Sequence, residues 1–381
     1  MPRVKTLPLV SMTPGTSREL TVWRWGKPGA RPKAYLQAAI HAAELPGTMA
    51  IHHLAPMLDE AEKKGLIQGE IIVVPHANPI GLSQLSGNMH LGRYDNLGLS
   101  NFNRNYPDVF PTVIEKTGGK LGRDGAANVA LVRRAALKAL AELQPMKELD
   151  QMRVALMSMS VDADFVLDLH CDLEASLHLF LGKRDWPGAK DLAAQLGVEA
   201  TIYNAPYPQA MTFSGANGSI WAKLQEALPN SVVPQACLSV TVEYRGQHDV
   251  NHTLGASDAA NLFRFLQRRG VVGGDPGPLP KAKCDATPMS GMDVGYCPRN
   301  GMLVYHKPKG AKVKAGEVVA EVIDMLDPNP KTARTPMIAR TDGILFSRKL
   351  DGRLAWPGMG AYRIAGAKEL PHRKGLSGLD D

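Results

Sequence analysis

The stretch AYLQAAIHAAE, residues 34–44, decides how the chain is read. Ala34 to Ile40 is an apolar run short enough for a buried strand. His41 follows it at once, and Glu44 comes three residues later. The same arrangement recurs downstream. ADFVLDL (163–169) is a second strand-like run, directly followed by His170, and ACLSVTVE (236–243) is a third, ending in Glu243. Around these runs, strand and helix patterns alternate. Arg18–Trp25 and the β-branched GEIIVVP (69–75) read as strands. Pro46 to Lys64 has helical periodicity, with proline near the first helical position, where its missing N–H costs nothing. Ala126–Leu143, Ser214–Leu228 and Gly255–Arg269 also read as helices. This alternation predicts an α/β sheet with helices on both faces. The polar stretch Asn78–Asp124 is long for a loop, and loops of that length are usually functional.

Composition bounds the rest. The 381 residues are 44% hydrophobic and 21% charged, which excludes collagenous, disordered and coiled-coil chains. Residues 273–283 are Gly/Pro-rich and read as a linker. They divide a first domain, 1–272, from a β-rich domain, 284–381, whose short strands include GMLVYH and GILFSRK. The net charge is +7, and 17 basic against 11 acidic residues fall from Lys281 onward. No basic cluster is interleaved with aromatics, so no nucleic-acid partner is expected. No stretch reaches the roughly 18 apolar residues of a membrane span. The start, MPRVKTLPLVSMTPG, lacks the apolar core of a signal peptide. The four cysteines include no C-x-x-C pair and read as reduced thiols, so a cytoplasmic protein is expected.

In an open α/β sheet, ligands bind beyond the carboxyl ends of the strands. If the three marked strands are parallel, His41, Glu44, His170 and Glu243 face one crevice. Two imidazoles and a carboxylate are the ligand set of a catalytic zinc site with an open fourth position. His41, Glu44 and His170 are therefore the predicted ligands of one Zn2+ per chain. Glu243 is the predicted general base. Asp168 lies two residues before His170, on the same strand face, and could orient that ring. Each residue alone has an ordinary structural reading; their joint placement at strand ends favours function. His178 reads as core, and His52 and His53 as structural parts of a helix. Nothing selects His76, His90, His248 or His252. Cys171 points to the opposite strand face from His170 and lacks a paired base, so it is not expected to be a nucleophile. In the polar stretch, Arg93 and the pair Asn103-Arg104 stand out, because guanidinium groups suit two-point recognition of a carboxylate.

At these residues the chain resembles the succinylglutamate desuccinylase/aspartoacylase family, the acylase branch of the zinc carboxypeptidase-like proteins. The matching residues are H-A-A-E at 41–44, N-P at 78–79, N-R at 103–104, D-L-H at 168–170 and E-Y at 243–244. The resemblance implies a carboxypeptidase-like α/β/α sheet domain followed by a small all-β domain of the lipoyl/biotinyl barrel-sandwich type. It implies the same zinc ligands and base, Asn103 and Arg104 as substrate-carboxylate contacts, and Arg93 polarising the scissile carbonyl. Tyr244, beside Glu243 in the matched pair, is a further expected substrate contact. The chain departs from the family pattern in Ala42, where glycine is usual, and in N-F-N-R for D-L-N-R. The Arg93-to-Asn103 spacing is expanded, and the two ligand segments lie far apart in sequence.

The expected function is zinc-dependent hydrolysis of an N-acyl amino acid or similar small carboxylate-bearing amide, with water deprotonated by Glu243. A carboxypeptidase acting on short peptides is the enzymatic alternative. The non-enzymatic alternative is a binding or carrier protein that uses the C-terminal module. Against a carrier, the hairpin DMLDPNPKTARTPM (324–337) has no lysine at its expected tip, and Lys331 lacks flanking methionine. The module's charge suits a cap that attracts anionic substrates. The partners expected are small molecules, with a homo-oligomer left open.

Overall fold

The computed structural model describes residues 1–205, 211–350 and 353–374. Among these residues, nine strands form one large sheet. They are β1 (Arg3–Pro8), β2 (Glu19–Trp25), β3 (Lys33–Ala38), β4 (Glu70–Val74), β5 (Phe165–Asp172), β6 (His178–Gly182), β7 (Ala200–Asn204), β8 (Leu238–Gly246) and β9 (Ala286–Pro288). Their order is β1-β2-β4-β3-β5-β8-β6-β7-β9. The central strands β4, β3, β5 and β8 are parallel. β6 runs antiparallel to β8, and β7 and β9 follow β6. The condition set by the sequence is therefore met, because the three marked strands end on one side. Their ends are also level, with Ala38 opposite Leu169 and His170 opposite Glu243.

Alternation along the strands sorts side chains between two helical layers. Ile71, Val73, Leu167, Leu169, Val240 and Val242 share one core cluster. The helices Pro46–Lys63, Trp186–Leu196 and His252–Arg268 cover that face. Tyr35, Ile72, Val74 and Val166 point the other way, toward Gly125–Ala141, Glu148–Ser160 and Phe213–Ala227. With helices on both faces, β3 and β4 are buried at every residue. Gly47 lets the first helix approach closely, since a Cβ there would lie 2.6 Å from Leu169 Cβ. The fold is thus mixed α/β, as expected.

Three details differ from the sequence reading. The first strand stops at Ala38 rather than Ile40. Ala39 takes a left-handed φ of +57°, which turns the chain off the sheet and places His41 and Glu44 on a tight turn. For a residue with a Cβ that conformation costs about 1–2 kcal/mol. The helices Glu148–Ser160 and Trp186–Leu196 had no sequence assignment. The polar stretch is also structured, carrying the helix Phe110–Thr117 and a small hairpin of Leu85–Ser86 with Met89–His90.

After the linker, Ala286–Pro288 still pairs with β7 and extends the large sheet. Two smaller antiparallel sheets follow. One contains Met292–Tyr296, Gly360–Gly366 and Gly343–Arg348. The other contains Arg334–Ile338, Val318–Ile323 and Gly301–Tyr305. Leu303, Val319, Val322, Leu345 and Ile364 form their shared core. The pair is stitched to the large sheet just past β5. Glu174–Ala175 pairs with Gly343–Arg348, and Arg363 bonds Asp172 Oδ2 at 2.7 Å.

Candidate active site

A cavity of about 950 Å³ opens beyond the carboxyl ends of β3, β5 and β8. His41, Glu44, His170, Glu243, Arg93, Asn103 and Arg104 all line it. His41 Nδ1 lies 3.0 Å from Glu44 Oε1, and His170 Nδ1 lies 2.8 Å from Glu44 Oε2. One ligand atom from each of the three residues falls within 4.8 Å of the others.

The outer ring nitrogens explain this aim. Asn101 Oδ1 accepts the Asn103 backbone N–H at 2.9 Å, so its oxygen faces His41 Nε2, also at 2.9 Å. His41 Nε2–H therefore donates to Asn101. His170 Nε2–H donates to Asp168 Oδ2 at 2.9 Å. Both rings turn Nδ1 toward the same carboxylate. Three potential ligand atoms converge, and a cation would take the place of the proton that His170 Nδ1 shares with Glu44. The donor set, its spacing and its oriented rings all fit zinc.

Asp168 is itself held. It is fully buried, and Gln37 Nε2 donates to its Oδ1 at 2.9 Å. Tyr35 in turn donates to Gln37 Oε1, at 2.9 Å. Burial works against charge on both imidazoles. Asp168 and Glu44 nonetheless raise His170 well above the ordinary histidine range, whereas His41 stays lowered. Burial would also raise Glu44, but the two imidazoles pull it below the usual carboxylate range.

Glu243 stands beside the cluster near the carboxyl end of β8, three residues before Gly246. Burial pushes its carboxyl up to about 8, against the pull of His170. Its Oε2 is buried and has no hydrogen-bond partner among the described residues. Arg93 Nη1 is 3.4 Å from Glu44 Oε1 and 3.3 Å from His41 Nδ1. Its loop packs on the ligand turn, where the Ala42 N–H bonds Gly92 O at 2.9 Å. A Cβ on Gly92 would lie 2.4 Å from that of Ala42. The methyl at Ala42 is thus accommodated by a glycine opposite it.

Other expected residues are placed differently. Asn103 is buried, with Nδ2 against His170 Nε2 and Asp168 and with Oδ1 accepting the Phe213 N–H at 2.8 Å. Its amide also lines the cavity. Arg104 lines the cavity and donates to Asn103 O at 2.9 Å. Tyr244 does not reach the cavity. It alternates with Glu243 and is fully buried in the apolar cluster on the opposite sheet face. His178 is core, as expected. Of the unselected histidines, only His90 lines the cavity. Burial raises the Cys171 thiol far above its ordinary value, which removes it as a nucleophile.

Sequence reading did not find Asn101, Gln37 or the far wall of the cavity. Gln37 carried a signal: it is a polar residue inside an otherwise apolar strand. The far wall carried none, because Arg348, Lys349, Arg353 and Arg363 reach the cavity only through the packing of the C-terminal sheets.

Residues 30–121 match the family model of the succinylglutamate desuccinylase/aspartoacylase catalytic domain, a span that holds His41, Glu44, Arg93, Asn103 and Arg104. Among curated proteins, no sequence matches. Solved structures are similar along nearly the whole chain. A Shewanella frigidimarina NCIMB 400 protein described as a succinylglutamate desuccinylase/aspartoacylase superposes with a TM-score of 0.82 at 20% identity, covering 96% of this chain and 97% of that one. A Shewanella amazonensis SB2B protein described as of the same family gives 0.82 at 23% identity, over 97% and 100%. The product-bound ectoine utilization protein EutE (DoeB) from Ruegeria pomeroyi gives 0.67 at 16%, over 96% and 95%. At these identities the likeness shows a shared fold. Over residues 30–121 the chain is similar to the catalytic domain of the succinylglutamate desuccinylase/aspartoacylase family, and it shares the mixed α/β fold of proteins named for that family.

Proposed function

We propose that the protein is a zinc-dependent amidohydrolase that removes an N-acyl group from an amino acid or a similar small carboxylate-bearing amide. The observation that carries this reading is the convergence of His41, Glu44 and His170 at a cavity that also holds the unpartnered carboxylate oxygen of Glu243. Zinc held by those three residues would lower the pKa of a coordinated water toward about 7 and polarise the amide carbonyl. Glu243 takes a proton from the attacking water and returns it to the leaving nitrogen. Arg93, beside Glu44, stabilises charge developing on the carbonyl oxygen. Arg104 holds the substrate carboxylate. Asp168 and Asn101 hold the two imidazoles in the required tautomer.

In this reading residues 1–272 carry the chemistry, 273–283 connect, and 284–381 close the far side of the cavity. Two sheets around one core support a barrel-sandwich form for that last part. The Ruegeria pomeroyi neighbour is named for ectoine utilization, and its likeness supports a small-molecule substrate. The free cysteines fit the reducing cytoplasm. No helix among the described residues is long and apolar enough to cross a membrane.

The test is metal analysis together with a hydrolysis screen of zinc-loaded protein against acylated amino acids and dipeptides. The reading expects about one zinc per chain and turnover of acylated amino acids. Zinc-free protein with full turnover would overturn it. Arg104→Lys should lower kcat/KM for free-acid substrates far more than for their amides, because a point charge replaces a two-pronged donor. An equal loss on both would remove Arg104 from carboxylate binding.

A further inference from the structure

The cavity does not end at the metal ligands. It continues down one face of β8, touching Glu243, Thr241 and Ser239 in turn. These alternate residues share a face, and four residues of strand span about 13 Å. Phe180, opposite Thr241, and Gly182 continue this floor on β6. Val294, Tyr296, Met359 and Tyr362 of the C-terminal sheets line the same cavity. The result is a trough between the large sheet and the C-terminal sheets.

Beyond Glu243, the floor residues Thr241, Ser239, Phe180 and Gly182 are neutral. Ser239 Oγ donates to Ser214 O at 2.8 Å, and Ser214 Oγ lies 2.7 Å from Thr241 Oγ1. Their hydrogen-bonding capacity is largely met within the protein. Phe180 packs on the apolar cluster that includes Val294 and Phe346. Tyr362 lies against Gly295, where a Cβ would come within 2.2 Å of its ring, so the aromatic wall is fixed in place. Arg363 beside it is committed to Asp172 at 2.7 Å. Arg348, Lys349 and Arg353 line the far wall of the same cavity. An aromatic or aliphatic group would gain about 0.8 kcal/mol per buried methylene. The volume also exceeds what a short acyl group on a small amino acid needs, since ligand sites of about 300–1,000 Å³ hold drug-sized molecules.

We infer that the substrate is an amide with a bulky apolar or aromatic group remote from the scissile bond, lying along this trough. The inference rests on the hydrolase reading above and names its substrate class. The experiment uses full-length, zinc-loaded protein. The kcat/KM values of N-acetyl-, N-succinyl-, N-octanoyl- and N-phenylacetyl-alanine are compared, with N-acetylphenylalanine for the other side of the amide. Binding of the same compounds to Glu243→Gln is measured by calorimetry. At least one apolar compound should exceed N-acetylalanine by ~10-fold or more in both measurements, the worth of about two buried methylenes. Thr241→Phe, which fills the trough, and Tyr296→Ala, at a half-exposed wall position, should each reduce that ratio. A flat series, or preference for the succinyl compound, with turnover intact overturns the trough alone. Apolar binding without any turnover supports the trough and overturns the hydrolase reading. Neither binding nor turnover overturns both.

Discussion

The two walls of the cavity are built on different principles. On the sheet wall, functional groups are held by one another. Tyr35, Gln37, Asp168, His170 and Glu44 form a continuous buried chain of hydrogen bonds. On the opposite wall, the groups from the C-terminal sheets are larger, more exposed and tied down by a few ion pairs, such as Arg348 with Glu174 at 2.8 Å. In the proposed hydrolase, the sheet wall would be preorganised for the reaction, where small displacements are costly. The far wall is built for contact area, where a substitution changes which ligand fits. Substitutions in the first should therefore act on metal and kcat, and those in the second on KM and substrate choice.

The largest effect that sharpens this contrast is at the ligands themselves. His41→Ala and His170→Ala should each lose bound zinc and reduce turnover to background, measured by metal analysis and steady-state assay. Zinc retained in both variants would break the assignment. Next comes Glu243→Gln, which keeps shape and removes the proton acceptor. It should keep its zinc and lose ~10²-fold or more in kcat. Near-normal turnover with zinc in place would mean that Glu243 is not the base.

A smaller effect is expected one step behind the metal. Asp168→Asn keeps the contact with Gln37 but no longer supplies the carboxylate that His170 Nε2–H donates to. Changes of this kind cost about 10–100-fold in metal affinity or activity. Competition with a chelator measures it. Unchanged zinc affinity and activity would show that the buried chain is structural support only.

The same contrast explains what could be read in advance. The three strand-end motifs, His41/Glu44, His170 and Glu243, were legible because alternation and strand-end position are local signals. Parallel strands then brought them together without any detail of packing. Tyr244 was misplaced by the motif pair that contains it, although the same alternation turns it away from Glu243 into the apolar face. Asn103 was legible as a site residue, but its contacts with His170 and the Phe213 N–H were not, because they depend on the packing of distant segments. Arg348, Lys349 and Tyr362 were not legible at all. They reach the site through the docking of two sheets, and no spacing in the chain records that.

The smallest expected effect lies on the seam between the two walls, at His178. The residue belongs to β6, yet its ring packs 4.8 Å from Phe346 of the C-terminal sheets. Its Nδ1–H donates to Ser176 O at 2.8 Å, and its Nε2 is buried without a partner among the described residues. Burial lowers its pKa to about 4, outweighing the opposite pull of Asp172. In the unfolded chain the ring titrates near 6.5. The folded value is depressed, so between these two values the unfolded state binds the extra proton. The stabilisation from a neutral His178 is thus fully present above pH 6.5 and is lost as pH falls toward 4. Between pH 6.5 and 5 the loss is about 1.5 kcal/mol. Other groups titrate over the same range, so the measurement is a difference. Urea unfolding of wild type and His178→Leu at both pH values should show a steeper fall in the wild type by about that amount. Parallel falls would mean that His178 gains a proton partner in the folded protein, and that the seam is more open to water than its packing implies.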